Sequence, residues 1–401
     1  MADDVPSLPT ARRLAIVLSH PTQYYSPWFR WMRAHTALAL RVFYLWEFGV
    51  QARRDLRFGA TFAWDVDLLS GYESEFVPNR ATRPGTDHFW GLRNPTLPAR
   101  LAAWRPDALL LFGYAYASHL RTVLWARRHG VPLVFRGDSH FLGRPTPAGP
   151  RAWLLRLMYR QFAAITYVGQ ANRAYFEKLG VPPAKLFFAP HTVNHEHFDA
   201  SRPEYRAAAA ELRQSLGLSP ETRVVLFAGK FHPEKQPLAL LESFLALRPT
   251  GAALVFVGDG EERERLKARA RPAPAGTVHF LPFANQSEMP VRYLLANIFA
   301  LPSRGLYETW GLAVNDAMHM GVPCLVSDRV GCQQDLVSDG ETGWVFRADD
   351  RAHLQAKLAE ALAADLAPFR PRVAARIAGY TYAAAAQGLL QALEHLPAPT
   401  R

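Results

Sequence analysis

Two carboxylates eight positions apart, Glu308 and Asp316, bracket the run Thr309-Trp310-Gly311-Leu312-Ala313-Val314-Asn315. The apolar stretch 298–301 before them predicts a strand, and the pattern after Gly311 predicts a helix entered through a short loop. A helix N-terminus offers backbone amides and the positive end of a dipole, which together favour an anion such as phosphate. At 1.5 Å per residue the two carboxylates lie about 12 Å apart along that helix. The span suits a nucleotide sugar: one carboxylate on sugar hydroxyls, the other on ribose hydroxyls, and the diphosphate at the amides between. The same residues also read as a solvated helix start, with Glu308 serving the dipole and Asp316 on the outer face. Lys230 and Lys235, five positions apart in a strand-to-helix loop, supply the charge a departing diphosphate needs. An exposed cation pair on a basic surface is the plainer alternative for them.

The segment 308–318 resembles the E-x-x-G-L-x-x-x-E-A-M signature of the family 4 retaining glycosyltransferases of the GT-B fold. Upstream, Gly229-Lys230-Phe231-His232-Pro233-Glu234-Lys235 resembles the family's G-R-L-x-x-x-K, with Lys230 in place of the usual Arg. The strand-loop segments 256–268 and 278–283, the latter ending at Phe283, follow the family's order. Downstream, Gly331-Cys332-Gln333-Gln334-Asp335 and Asp339-Gly340-Glu341-Thr342-Gly343 correspond to its G-G-x-x-E and D-G-x-T-G segments. The resemblance implies Glu308, Lys235 and Lys230 as catalytic residues and Gly229, Gly311, Leu312, Asp316 and Phe283 on the donor. It implies retention of anomeric configuration, a nucleotide-diphosphate sugar as donor, with a UDP-sugar favoured over a GDP-sugar, and no cofactor or metal. The acceptor would be a glycan, glycolipid or small molecule, as in polysaccharide, glycolipid or natural-product glycosylation. A nucleotide-sugar epimerase or hydrolase on the same fold, and a non-catalytic sugar-binding subunit, are the alternatives. Three departures stand out. Ser19-His20-Pro21-Thr22-Gln23-Tyr24-Tyr25-Ser26 replaces the family's glycine-rich first loop, Arg136-Gly137-Asp138-Ser139-His140 stands where many members place a histidine, and Asp316 replaces the second Glu.

The elements that must position these residues follow an α/β rhythm. Apolar runs at 13–18, 40–45, 108–112 and 132–135 predict buried strands, with helical spacing over 28–35 and 117–129. A second set of strands is predicted at 224–228, 253–257, 278–281, 298–301 and 323–326, after a linker near 190–202 and a helix over 203–216. The reading is two Rossmann-like domains facing a cleft, an acceptor domain over 1–197 and a donor domain over 198–375. A tail, 376–401, carries a helix at 382–396 back to the first domain. Ligands in open α/β sheets gather at the carboxyl ends of strands, so His20, Gln23, Tyr24, Arg136 and Asp138 are the acceptor-side candidates. The irregular stretch 47–100, rich in Arg, Gly, Pro and aromatics, is a functional excursion rather than scaffold.

Of 401 residues 49% are hydrophobic and 20% charged, which excludes disorder throughout the chain. The +11 net charge attracts anions but is spread too evenly for a nucleic-acid stripe, and it suits docking at an anionic membrane face. The apolar run 14–18 is too short for a signal sequence or a span, so a cytoplasmic location is expected, with peripheral contact at the inner membrane face. Cys324 and Cys332 lack metal-ligand companions and should be free thiols. Asp65-Val66-Asp67 matches a metal-binding D-x-D pair but falls inside the excursion, away from a strand end. A dinucleotide fingerprint is missing after the first strand of either domain, which disfavours a nicotinamide enzyme.

Overall fold

The computed structural model describes residues 12–50, 53–54, 61–305 and 308–397, so Leu306 and Tyr307, just before the motif, lie outside it. The first sheet has seven parallel strands in the order β5-β2-β1-β6-β7-β8-β9: β1 Arg13–Leu18, β2 Ala39–Tyr44, β5 Glu73–Phe76, β6 Ala108–Phe112, β7 Leu133–Arg136, β8 Ala164–Tyr167 and β9 Leu186–Phe188. A two-residue antiparallel pair, β3 Arg53–Arg54 with β4 Thr61–Phe62, stands apart in the excursion. The second sheet is six-stranded and parallel, β12-β11-β10-β13-β14-β15: β10 Arg223–Ala228, β11 Ala252–Val257, β12 Val278–Leu281, β13 Ile298–Leu301, β14 Cys324–Ser327 and β15 Gly343–Phe346. Central strands are apolar on both faces, as β11 with all six residues buried shows, because helices cover each side of a parallel sheet.

Each sheet is therefore sandwiched between two apolar clusters. In both sheets the strand order reverses beside the first strand, between β1 and β6 and between β10 and β13. Loops leaving the strands at such a switch point diverge and open a crevice. The two crevices face each other. The chain crosses to the second domain after β9, and Val193 and Phe198 already belong to the second core. It returns between Tyr380, packed with the second core, and Tyr382, packed with the first.

The return helix Tyr382–Glu394 starts at Thr381, whose side chain accepts a hydrogen bond from the Ala384 N–H (3.3 Å). It buries Leu389, Leu390 and Leu393 against the first domain. Its Gly388 lies so close to β9 that a Cβ there would sit 1.8 Å from the Phe188 carbonyl oxygen. The sequence pattern missed β5, β8, β9 and β15. Glu73–Phe76 and Leu186–Phe188 are sheet-edge strands with partly exposed residues, so they lack the apolar run that marks a buried strand. The stretch 47–100 is therefore partly scaffold, contrary to the reading from sequence: β5 pairs with β2, and Tyr72, Val77, Leu92 and Leu97 enter the first domain's core.

Candidate active site

The loop after β13 brings Glu308 to the cleft, and its path is fixed by close backbone contacts. Gly311 has φ +100°, and a Cβ there would meet Val330 Cγ1 at 2.8 Å. Gly331 lies against the Thr309–Trp310 peptide, its hypothetical Cβ 1.9 Å from the Thr309 carbonyl oxygen, and the Cys332 N–H donates to the Trp310 carbonyl (2.9 Å). The eight-residue helix Leu312–His319 follows. From the other domain, His140 bonds the Glu308 carbonyl through Nε2 (3.2 Å), while its Nδ1 accepts from the Leu142 N–H (3.0 Å). Those partners assign the neutral tautomer with hydrogen on Nε2, and burial lowers the pKa of the ring, which favours that state.

Lys235 closes a 3-10 turn, Pro233–Lys235, after β10, and its ammonium pairs directly with Glu308 Oε2. The pair is mostly shielded, with side-chain exposures of 25% and 11%. Lys230, Gly229, Phe283, Gly311 and Leu312 line the same cavity, of about 390 Å³. Asp316 lies at its buried side. Its Oδ2 accepts from the Tyr293 hydroxyl (3.4 Å), and its buried Oδ1 has no partner among the described residues. Burial pushes the Asp316 carboxyl well above its ordinary range. A buried carboxyl oxygen without a partner beside a cavity is a ready site for a ligand hydroxyl.

From the first domain, Gln23 and Tyr24 after β1 and Asp138 after β7 reach the cavity wall. Burial, then the charge of Asp316, raises the Tyr24 phenol, which stays protonated and able to donate. Asp138 Oδ2 accepts from Thr309 Oγ1 of the other domain (2.7 Å) and lies 3.4 Å from His191 Nε2. Burial alone would raise Asp138, but the His191 and Thr309 contacts outweigh it and hold the carboxyl down at about 2. The other two acceptor-side candidates lie elsewhere. Arg136 is buried, donating to the carbonyls of Ala189 (2.9 Å) and Pro190 (3.1 Å) with its guanidinium over Trp28. It shares the face of β7 that carries Val134, and so braces the interdomain crossing rather than the cavity. His20 turns toward Trp46 and Phe48, and burial lowers it to about 4.

Several functional contacts were invisible in the sequence because their partners lie in different domains. Trp64, from the excursion, lines the same cavity as Gln286 and Met289 of the donor domain. The Ala63 carbonyl accepts from Asn285 Nδ2 (2.8 Å), and Asp65 accepts from the backbone N–H of Ser287 (3.2 Å) and from its hydroxyl. Asp67, the other half of the D-x-D pair, instead accepts from the Leu69 and Ser70 N–H groups and pairs with Arg30 (3.1 Å). Among the described residues no three His, Cys, Asp or Glu side chains come together to hold a metal ion. Across the cleft floor, Asp335 caps the helix Gln170–Lys178 by accepting from the Gln170 N–H (2.9 Å), and Asn315 donates to the His191 carbonyl (3.1 Å). Gly169 permits this approach: a Cβ there would lie 2.4 Å from the Trp310 ring and 2.6 Å from Asp335.

Comparison with known proteins agrees with this architecture. Residues 209–378 match the family model for glycosyl transferases group 1, and residues 36–192 match that for a glycosyl transferase 4-like domain. A D-inositol 3-phosphate glycosyltransferase from Nocardia farcinica is 33% identical over 203 residues, covering 47% of this chain and 44% of that protein. Sulfoquinovosyl transferase SQD2 of Arabidopsis thaliana is 26% identical over 275 residues, 64% of this chain and 50% of that one. The chain thus spans about half the length of these two relatives. A Frankia alni D-inositol 3-phosphate glycosyltransferase is 25% identical over 358 residues, 78% of this chain and 83% of that protein. Among solved structures, Anabaena Alr3699/HepE superposes with a TM-score of 0.69 at 15% identity, covering 96% of this chain and 100% of that one. Sucrose-phosphate synthase of Thermosynechococcus elongatus gives 0.69 at 18% identity, over 96% and 98%. Two facing Rossmann-like domains, a returning C-terminal helix and both family matches lead to one conclusion: the chain belongs to the group 1 glycosyltransferases and has their GT-B fold.

Proposed function

We propose that this protein moves a sugar from a nucleotide-diphosphate sugar to an acceptor hydroxyl with retention of anomeric configuration, taking a UDP-sugar in preference to a GDP-sugar. The observation that carries the reading is the shared cavity: Glu308, Asp316, Lys230 and Lys235 all border it, with Tyr24 and Asp138 approaching from the acceptor domain. Asp316, with an unpartnered buried oxygen, is assigned to the ribose hydroxyls, and Glu308 to the transferred sugar. Lys235, now paired with Glu308, would turn to an arriving diphosphate and free that carboxylate for the sugar. In the step itself the bond from the anomeric carbon to the diphosphate oxygen breaks, and its electron pair stays on that oxygen under Lys230, Lys235 and the helix amides. The freed oxygen takes the acceptor proton as the acceptor oxygen bonds the same face of the sugar. Charge compensation by the two lysines makes turnover independent of divalent metal.

The UDP preference is supported by the Anabaena neighbour, solved with UDP and glucose. Against it stand relatives such as the GDP-mannose-dependent mannosyltransferase of Mycobacterium tuberculosis, 32% identical over 197 residues. Thermal unfolding with UDP, GDP and ADP decides between them, since a ligand at 100 times its dissociation constant adds about 2.7 kcal/mol. Product analysis with and without acceptor tests the reaction: free sugar or an epimer formed equally well without acceptor would replace transfer by hydrolysis or epimerisation.

A further inference from the structure

Exposed large apolar side chains are clustered on one side of the acceptor domain. Helix Gly149–Tyr159 buries Ala152 and Tyr159 but leaves Trp153 (61% exposed), Leu154 and Leu157 in solvent. At 100° per residue those three fall within an arc of about 100°. Arg156 and Arg160 flank it, and Arg151 lies on the helix's other exposed side. The neighbouring helix Ala117–Arg128 repeats the pattern, with Leu120 and Leu124 exposed among Arg121, Arg127 and Arg128. These helices follow the adjacent strands β6 and β7, and their inner residues enter the same core cluster, so they cover one face of the sheet. The turn carrying exposed Phe89 and Trp90 is tied to the start of the second helix by the Ser118 N–H on the Leu92 carbonyl (3.2 Å). Of the exposed large apolar side chains among the described residues, only Phe188 lies outside these three segments.

Charge selects the partner. Between Asp107 and Glu177 the chain has one carboxylate, Asp138, and that one faces the cavity. Both helices are thus purely cationic around their apolar side chains. Tryptophan and leucine flanked by arginine is the composition of helices that lie in a bilayer interface, with the apolar side chains among the acyl chains and the guanidinium groups at anionic headgroups. No helix among the described residues is long and apolar enough to cross a membrane. We infer that this face docks peripherally on an anionic lipid bilayer through Trp153, Leu154 and Leu157, held by the arginines of the two helices. The loop from β7 into helix Gly149–Tyr159 also carries Asp138 and His140, so a docked surface leads directly to the acceptor side of the cleft.

Sedimentation of the full chain with vesicles tests this. Phosphatidylcholine vesicles containing phosphatidylglycerol should carry the protein down, vesicles of phosphatidylcholine alone should not, and added salt should release it. Replacing Trp153, Leu154 and Leu157 together by serine should weaken binding more than about tenfold. The pair Arg151→Gln and Arg156→Gln, which leaves the apolar residues in place, should weaken it by roughly 25-fold at about fivefold per arginine. This second variant carries the test if the first does not fold. The inference is overturned if neither vesicle binds, if both variants bind as the parent does, or if the serine variant only converts a dimer to a monomer. UDP affinity is measured separately: vesicle binding without nucleotide binding would sink the proposed reaction and leave the docking face standing.

Discussion

The pairing of Lys235 with Glu308 and the buried Asp316 set the chemistry that single residues contribute. The motif marked all three in the sequence. What it did not show is that Lys235 and Glu308, 73 positions apart, meet directly, or that His140 holds the Glu308 backbone from 168 positions away. Arg136 illustrates the opposite failure: its type suited an acceptor site, but strand alternation turned it to the face occupied by Trp28. On the proposed assignment, ribose hydroxyls donate to Asp316 and favour its charged form, whereas burial favours the neutral one. Nucleotide binding should therefore release a proton, and affinity should strengthen as pH rises toward the carboxyl's raised pKa. Calorimetry in two buffers of different ionisation enthalpy would show the release, and Asp316→Asn should abolish it. Chelation offers a second check on the lysines: turnover in EDTA should stay near that of the untreated enzyme, and complete loss rescued by Mg²⁺ or Mn²⁺ would remove them as sufficient counter-charge.

Loops and helix ends decide whether those residues arrive in place. The α/β rhythm and most inner strands were legible because parallel strands buried on both faces leave continuous apolar runs; the inner strand β8 was not, since its four residues Ala164–Tyr167 include Thr166 and form too short an apolar run. Polar edge strands, and the placement of the excursion over the cavity, were not, since neither leaves a local pattern. Glycine has a different meaning at different loops. Gly331→Ala should cost more than about 2 kcal/mol in thermal or denaturant unfolding, because the new methyl meets the Thr309 carbonyl with no room to yield. Gly217→Ala, at φ +68° but with open space around it, should cost only about 1 kcal/mol of left-handed backbone strain. Asp335, capping helix Gln170–Lys178, provides a pH test. Burial raises its carboxyl to about 6, against the opposing Gln170 N–H, Tyr380 hydroxyl and Arg376 charge. The folded protein thus holds this proton more tightly than the unfolded chain, so the contribution favours folding at low pH and is lost as pH rises through about 4 to about 6. Relative to Asp335→Asn, the parent should lose on the order of 3 kcal/mol across that window. A constant difference between the two would show that the carboxyl is not perturbed.

At the scale of the whole molecule, the cleft is bridged at several points, and the donor is proposed to lie between them. Asp65 and Asn285 fasten the excursion to the donor domain with Trp64 on the cavity wall. Asp65→Ala should raise the KM for the nucleotide sugar about threefold to tenfold, the worth of one or two exposed hydrogen bonds, with less effect on kcat. A fall in kcat at constant KM would place that segment on the acceptor instead. The central claim is that Glu308 and Asp316 serve opposite ends of one donor. Its most direct test is calorimetry of the free nucleoside diphosphate, paired with steady-state rates, on Glu308→Gln and Asp316→Asn. Glu308→Gln should depress kcat while leaving diphosphate affinity close to the parent's, because it acts on the sugar where charge develops. Asp316→Asn should weaken the diphosphate by roughly 10- to 150-fold, as loss of a charged hydrogen bond requires. Equal loss of diphosphate affinity in both variants, or no change in rate or affinity in either, would contradict the account.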